Sequence, residues 1–131
     1  MPVVLVRSGA RFSIYAWGSE EHCELLAFLE ELENNAHPDY ERLLALIERM
    51  VEHGPPHNKQ QCRALEGERA RGLFEFKAPR GARVLWFYDE NRVIICSHGF
   101  IKKKDRTPTE EIERAQNVRK KYFDEKKEQV R

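Results

Sequence analysis

Apolar positions recur along the chain with two different periods. Phe12, Ile14 and Ala16 alternate with Ser13, Tyr15 and Trp17, the period of two that lines one face of a strand. The β-branched run Val3 to Val6 precedes them, and Ser8-Gly9 between the two is a turn signal, so the spacing predicts a hairpin. Gly18-Ser19 ends it. Ser19 suits an N-cap and Glu20 and Glu21 suit a first helical turn. Leu25, Phe28, Leu29 and Leu32 then follow at helical spacing until Asn34-Asn35. Tyr40, Leu43, Leu44, Ile47, Met50 and Val51 keep the i, i+3, i+4, i+7 pattern of a second helix, opened by Pro38-Asp39 and closed by Gly54-Pro55-Pro56. The short link predicts an antiparallel helix hairpin.

Beyond it the pattern changes. His57 to Gly67 reads as a polar loop around Leu65. Leu73, Phe74 and Phe76 begin a strand, and Pro79-Arg80-Gly81 is a turn. Val84 to Tyr88 is almost entirely apolar or aromatic, as expected of a central strand buried on both faces. Asp89-Glu90-Asn91 turns the chain into a third strand, Val93 to Cys96, completing a meander. Thr107-Pro108-Thr109-Glu110 reads as a capping box with Pro at the first helical position. Ile112, Ala115, Val118 and Tyr122 give that last helix its stripe. Residues 1–123 form one domain on this reading, and 124–131 are a charged tail expected to fray.

Composition agrees with one domain. A 131-residue chain buries about two thirds of its unfolded surface, so a core needs no disulfide or metal. Three separated cysteines, Cys23, Cys62 and Cys96, give neither a disulfide framework nor a zinc ribbon and point to a reducing cytoplasm. No apolar run is long enough to span a membrane, and Met1 to Arg7 lacks a signal-peptide layout. The net charge of +1 hides a polarity. Residues 1–68 carry 6 Lys+Arg against 12 Asp+Glu, a net −6; residues 69–131 carry 17 against 10, a net +7. A basic half concentrates anionic partners.

The chain has no P-loop, dinucleotide fingerprint or nucleophile elbow. His53 and His57 are four apart, but Gly54, Pro55 and Pro56 break any helix between them, so no metal site is expected there. Cys96 and His98, two apart on a strand, are expected to face the same side. The richest stretch is Leu73 to Lys104. Lys77 and Arg83 flank the tight turn, and Lys102, Lys103 and Lys104 follow the third strand. Such a cluster among aromatic residues suits a nucleic-acid phosphate and its base; lysines also guard sheet edges against further pairing.

Four pieces then occur in one order: Gly72-Leu73-Phe74-Glu75-Phe76-Lys77; Gly81-Ala82-Arg83-Val84-Leu85-Trp86-Phe87; Ser97-His98-Gly99-Phe100-Ile101-Lys102-Lys103-Lys104; and Thr107-Pro108 with Glu110-Glu111-Ile112-Glu113-Arg114-Ala115. The series, across roughly residues 22–123, resembles the RelE/ParE toxin superfamily, in its phage-derived, HigB-type branch. The resemblance implies an α+β fold: a helix hairpin packed on a small, mainly antiparallel sheet, with a C-terminal helix. It implies the toxin of a type II toxin–antitoxin pair, partnered with an antitoxin of helix-turn-helix type from the neighbouring gene. The implied activity is cofactor- and metal-independent cleavage of mRNA on the ribosome, in which a ribose 2′-oxygen attacks the adjacent phosphate. By position, Arg83 would hold the scissile phosphate, Lys77 would stand where arginine is usual, and His98 would be a candidate acid or base. Lys102, Lys103 and Lys104 would bind substrate. Leu73 and Glu75 stand where ribosome-dependent members carry lysines. That departure keeps an alternative open: a gyrase-directed toxin, or a module that only binds nucleic acid or a partner.

Overall fold

The computed structural model describes residues 2–103 and 106–130. Three helices enclose a six-stranded sheet. In chain order the elements are β1 (Val3–Ser8), β2 (Ser13–Trp17), α1 (Glu24–Asn34), α2 (Asp39–His53), β3 (Cys62–Ala64), β4 (Phe74–Lys77), β5 (Ala82–Asp89), β6 (Val93–Ile101) and α3 (Thr109–Val130). The strand order is β1-β2-β6-β5-β4-β3. Every neighbouring pair is antiparallel except β2 with β6, which runs parallel. The hairpin helices connect the two halves of the sheet, which is the long crossover a parallel pair requires.

The strand alternation sorts the core into two layers. Ile14, Ala16, Val84, Trp86, Ile94 and Cys96 face α1 and α2, where Leu25, Leu29, Leu32, Leu43, Ile47 and Met50 meet them. Leu85, Phe87 and Ile95 face α3, against Ala115 and Tyr122. Val84, Leu85, Trp86 and Phe87 are all fully buried, so β5 is the doubly covered strand its composition predicts. The close approach of α1 depends on one glycine. A Cβ on Gly99 would overlap the Phe28 ring, so any other residue there forces that ring out of its place on the sheet.

Several boundaries differ from the pattern reading, each for a local reason. The helix starts at Glu24, not after Ser19. Ser19 Oγ instead accepts from the His22 N–H and closes a turn. The polar loop contains β3, an edge strand too short to show a period. Thr107 turns its hydroxyl to Glu75, and α3 begins at Thr109. The expected tail is helical through Val130, two turns past Phe123. Lys126 holds it by bonding both carboxylate oxygens of Asp89 at 2.8 and 2.9 Å, beside the Tyr122 hydroxyl, which also donates to Asp89.

Candidate nucleic-acid interface

The side chains of Arg63, Glu75, Lys77 and Arg83 belong to one face of the sheet, on neighbouring strands. Arg63 is paired with Glu75 between β3 and β4, and Lys77 with Arg83 between β4 and β5. This is the face α3 covers farther along, and here it is left open.

Glu75 is the centre of the arrangement. It stands between Phe74 and Phe76, and the alternation that sends those rings into the hairpin core sends its carboxylate to the other side. It is completely buried. Burying a carboxylate is tolerable only with partners. Arg63 Nε donates to Oε2 at 3.0 Å, Thr107 Oγ1 donates to Oε1 at 3.2 Å, and Arg83 Nε lies 3.4 Å from Oε1.

Arg83 is thereby fixed on two sides. Its Nη1 donates to the carbonyls of Ala78 and Ala82 at 2.9 and 3.0 Å. Its Nη2 makes no hydrogen bond among the described residues. Burial lowers the Arg83 pKa, yet a guanidinium keeps its charge in water. Lys77 has its pKa lowered by burial and by the Arg63 and Arg83 guanidiniums, against Glu75. Lys102 is lowered as well, by burial first and by Arg83, Arg63 and Lys77, with Glu75 opposing. Lys77, Arg80, Arg83, Lys102 and Lys103 line an open basin of about 520 Å³. The sequence-predicted cations therefore converge, except that Lys104 lies outside the described residues.

The turn that carries them is pinned from the helix hairpin. Asp39, the first residue of α2, is buried and accepts from the Arg80 N–H with both oxygens at 3.0 Å and from the Ala82 N–H at 2.9 Å. From the opposite side the Lys102 N–H donates to the Gly81 carbonyl at 2.7 Å. Gly81 has a φ of 101°, and a Cβ there would stand 2.9 Å from the Lys102 carbonyl oxygen. Glycine is therefore required on both counts.

His98 is not in the basin. The β5–β6 register pairs Leu85 with His98 and Trp86 with Cys96, leaving Ser97 as a bulge. The extra residue puts Cys96 and His98 on opposite faces, overturning the expectation that they share one. Cys96 lies in the hairpin core, where burial raises its thiol pKa and makes it inert. The His98 ring, 1% exposed, shares a hydrogen bond with Ser97 Oγ at 2.8 Å and another with Glu111 Oε1 at 3.1 Å. With both nitrogens hydrogen-bonded and the ring buried, it ties the bulge to α3.

Two residues escaped the pattern reading. Arg63 sits on a strand of three residues; its signal was the lone Glu75 in an apolar strand, which demands a cation nearby. Asp39 read, with Pro38, only as a helix start and proved to be a buried anchor for a turn 41 residues away.

The comparisons with known proteins fit this architecture. The family model described as "Phage derived protein Gp49-like" matches residues 27–120. Among solved structures the chain is similar to "The structure of YoeB dimer from Staphylococcus aureus", at 15% identity and a TM-score of 0.51, covering 72% of this chain and 99% of that one. That likeness is one of fold and supports the RelE-like α+β architecture. No curated protein matches the chain.

Proposed function

Because the chain belongs to the phage-derived Gp49-like family, we propose that it is the toxin of a type II toxin–antitoxin pair, a RelE-type endoribonuclease that cuts mRNA on the ribosome. The observation that carries the reading is that Arg83, whose Nη2 makes no hydrogen bond among the described residues, lines the same basin as Lys77 and Lys102. In the proposed reaction a ribose 2′-oxygen attacks the neighbouring phosphorus, the 5′-oxygen leaves, and a cyclic phosphate and a 5′-hydroxyl remain. Negative charge grows on the phosphoryl oxygens, and fixed cations stabilise it best when they need no reorganisation. Arg83 fits that role because Glu75 and two carbonyls already hold its guanidinium. The proton steps fall to Lys77 and Lys102, whose lowered pKa values enlarge the neutral-amine fraction near neutral pH. His98, the acid or base the resemblance implies, is replaced in that role because it is sealed behind Glu111.

Induced expression tests the reading. Growth should stop, and transcripts should break inside translated frames with 5′-hydroxyl ends. Intact transcripts with a DNA-damage response would establish the gyrase-directed alternative; intact transcripts and normal growth would leave a binding module.

A further inference from the structure

A second concavity lies on the other side of Glu75. It measures about 480 Å³ and is bounded by Arg63, Leu65, Glu66, Arg106, Thr107 and Ile112. Its chemistry differs from that of the basin. Leu65 and Ile112, half-buried against the α3 layer, give it an apolar floor, while Arg63 and Arg106 put cations on its walls. The basin is walled chiefly by lysine and arginine.

One carboxylate joins the two. Glu75 Oε2 takes Arg63 Nε on the cavity side, and Oε1 lies 3.4 Å from Arg83 Nε on the basin side. Thr107, a wall of the cavity, donates to that same Oε1. Arg63 stands opposite Glu75 and Arg83 opposite Lys77, so their backbone positions are offset by two residues along the strands, about 7 Å, while both guanidiniums reach the one carboxylate. Arg63 keeps both terminal nitrogens free of hydrogen bonds among the described residues, with its plane held at Nε.

We propose that this cavity is a nucleobase subsite, which takes the base of the nucleotide next to the phosphate seated in the basin. The proposal rests on the reading of the basin as a phosphodiester site and extends it. Unpaired bases are gripped by stacking on flat apolar or guanidinium surfaces and by hydrogen bonds to their edges. The cavity offers Leu65, Ile112 and the Arg63 plane for the first, and Glu66, Thr107 and Arg106 for the second. A bare anion would gain nothing from the apolar floor. The volume lies within the range of pockets that enclose small organic ligands.

Amide chemical-shift titration of the full chain tests this with two probes: inorganic phosphate, and 2′-deoxy dinucleoside monophosphates, which lack the attacking hydroxyl. Phosphate should move the Gly81, Arg83 and Lys102 amides only. The dinucleotide should also move Leu65, Gly67 and Ile112 and bind at least tenfold more tightly than phosphate. Ile112→Trp, which fills the cavity, should bring the dinucleotide within twofold of phosphate and leave phosphate binding unchanged. Arg106→Ala, at an exposed position, should lower dinucleotide affinity without touching the fold. A dinucleotide that binds no better than phosphate, with the cavity amides still, overturns the subsite and leaves the basin standing. If neither probe moves the basin amides, the phosphodiester reading falls and the subsite with it.

Discussion

Arg83 shows how much of a functional side chain can be committed to holding it in place. Its Nη1 donates to the carbonyls of Ala78 and Ala82, and its Nε lies 3.4 Å from Glu75 as an ion pair without a hydrogen bond, while Nη2 makes none among the described residues. Arg83→Ala should therefore lower the cleavage rate about 10²- to 10³-fold, the cost of removing one preorganised donor from a charged transition state. It should leave the protein folded, which circular dichroism checks alongside RNA cleavage; an unchanged rate in a folded variant would remove Arg83 from the site. His98 makes the opposite case, a histidine whose titration belongs to stability. Burial and Arg114 lower its pKa, against Glu111 and Glu24. The folded chain thus resists a proton that the unfolded chain accepts near pH 6.5. Stability held above that pH is lost as pH falls below it, because the unfolded state then binds more protons. The urea midpoint should drop between pH 7 and pH 5, and His98→Gln should flatten that slope. A slope of the same size in the variant would assign the titration elsewhere.

Among the elements, the β4–β5 turn depends on a helix that is distant in sequence. Asp39→Asn keeps the shape at the start of α2 but gives up one of the two oxygens that accept the Arg80 and Ala82 N–H groups. Hydrogen bonds to a charged acceptor contribute about 1.5–3 kcal/mol. Exchange of those two amides should accelerate at least tenfold while the β1–β2 ladder is unaffected, and amide exchange followed by NMR reads both. Equal acceleration throughout would mean that Asp39 supports the whole fold, not the turn. Periodicity was enough to find the elements with long apolar stripes, α1, α2, α3 and β5, because burial on a fixed face leaves a regular mark. It could not find β3, where three residues carry no period, nor the Ser97 bulge, which shifts one residue and sends His98 to the other face from Cys96. The basin was half legible. Lys77 and Arg83 flank a turn visible in Pro79-Arg80-Gly81, whereas Arg63 and Asp39 arrive through tertiary pairing that no local window contains.

For the whole molecule, the separation of charge along the chain becomes one cationic basin beside acidic helices. Binding to single-stranded RNA should weaken steeply with salt, since contacts to phosphate release counterions. Lys102→Ala with Lys103→Ala should reduce the slope of log K against log salt by about 1.4, two phosphate contacts at about 0.7 each. An unchanged slope would return these lysines to solvent. The same electrostatics bear on an antitoxin. Leu26 and Leu46, hairpin positions beside the core stripes, would offer an apolar docking face if they were exposed. The structure buries Leu46 and packs Leu26 against the core. What the hairpin offers a partner is therefore chiefly charge, and on the proposed function an acidic segment of the antitoxin would cover the basin. A purified complex should dissociate with a steep salt dependence; a complex indifferent to salt would place the antitoxin on an apolar surface elsewhere.

The parallel ladder between β2 and β6 has a consequence in time. Ala16 pairs with Cys96, so the second strand made waits for the sixth. At about 5–20 residues per second that wait lasts roughly 4–16 s. Until it ends β2 has only β1 beside it, and a lone two-stranded hairpin is marginal in water. Lys102 joins the basin only after β6 has formed. A nascent chain therefore carries Arg83 before the basin around it is complete.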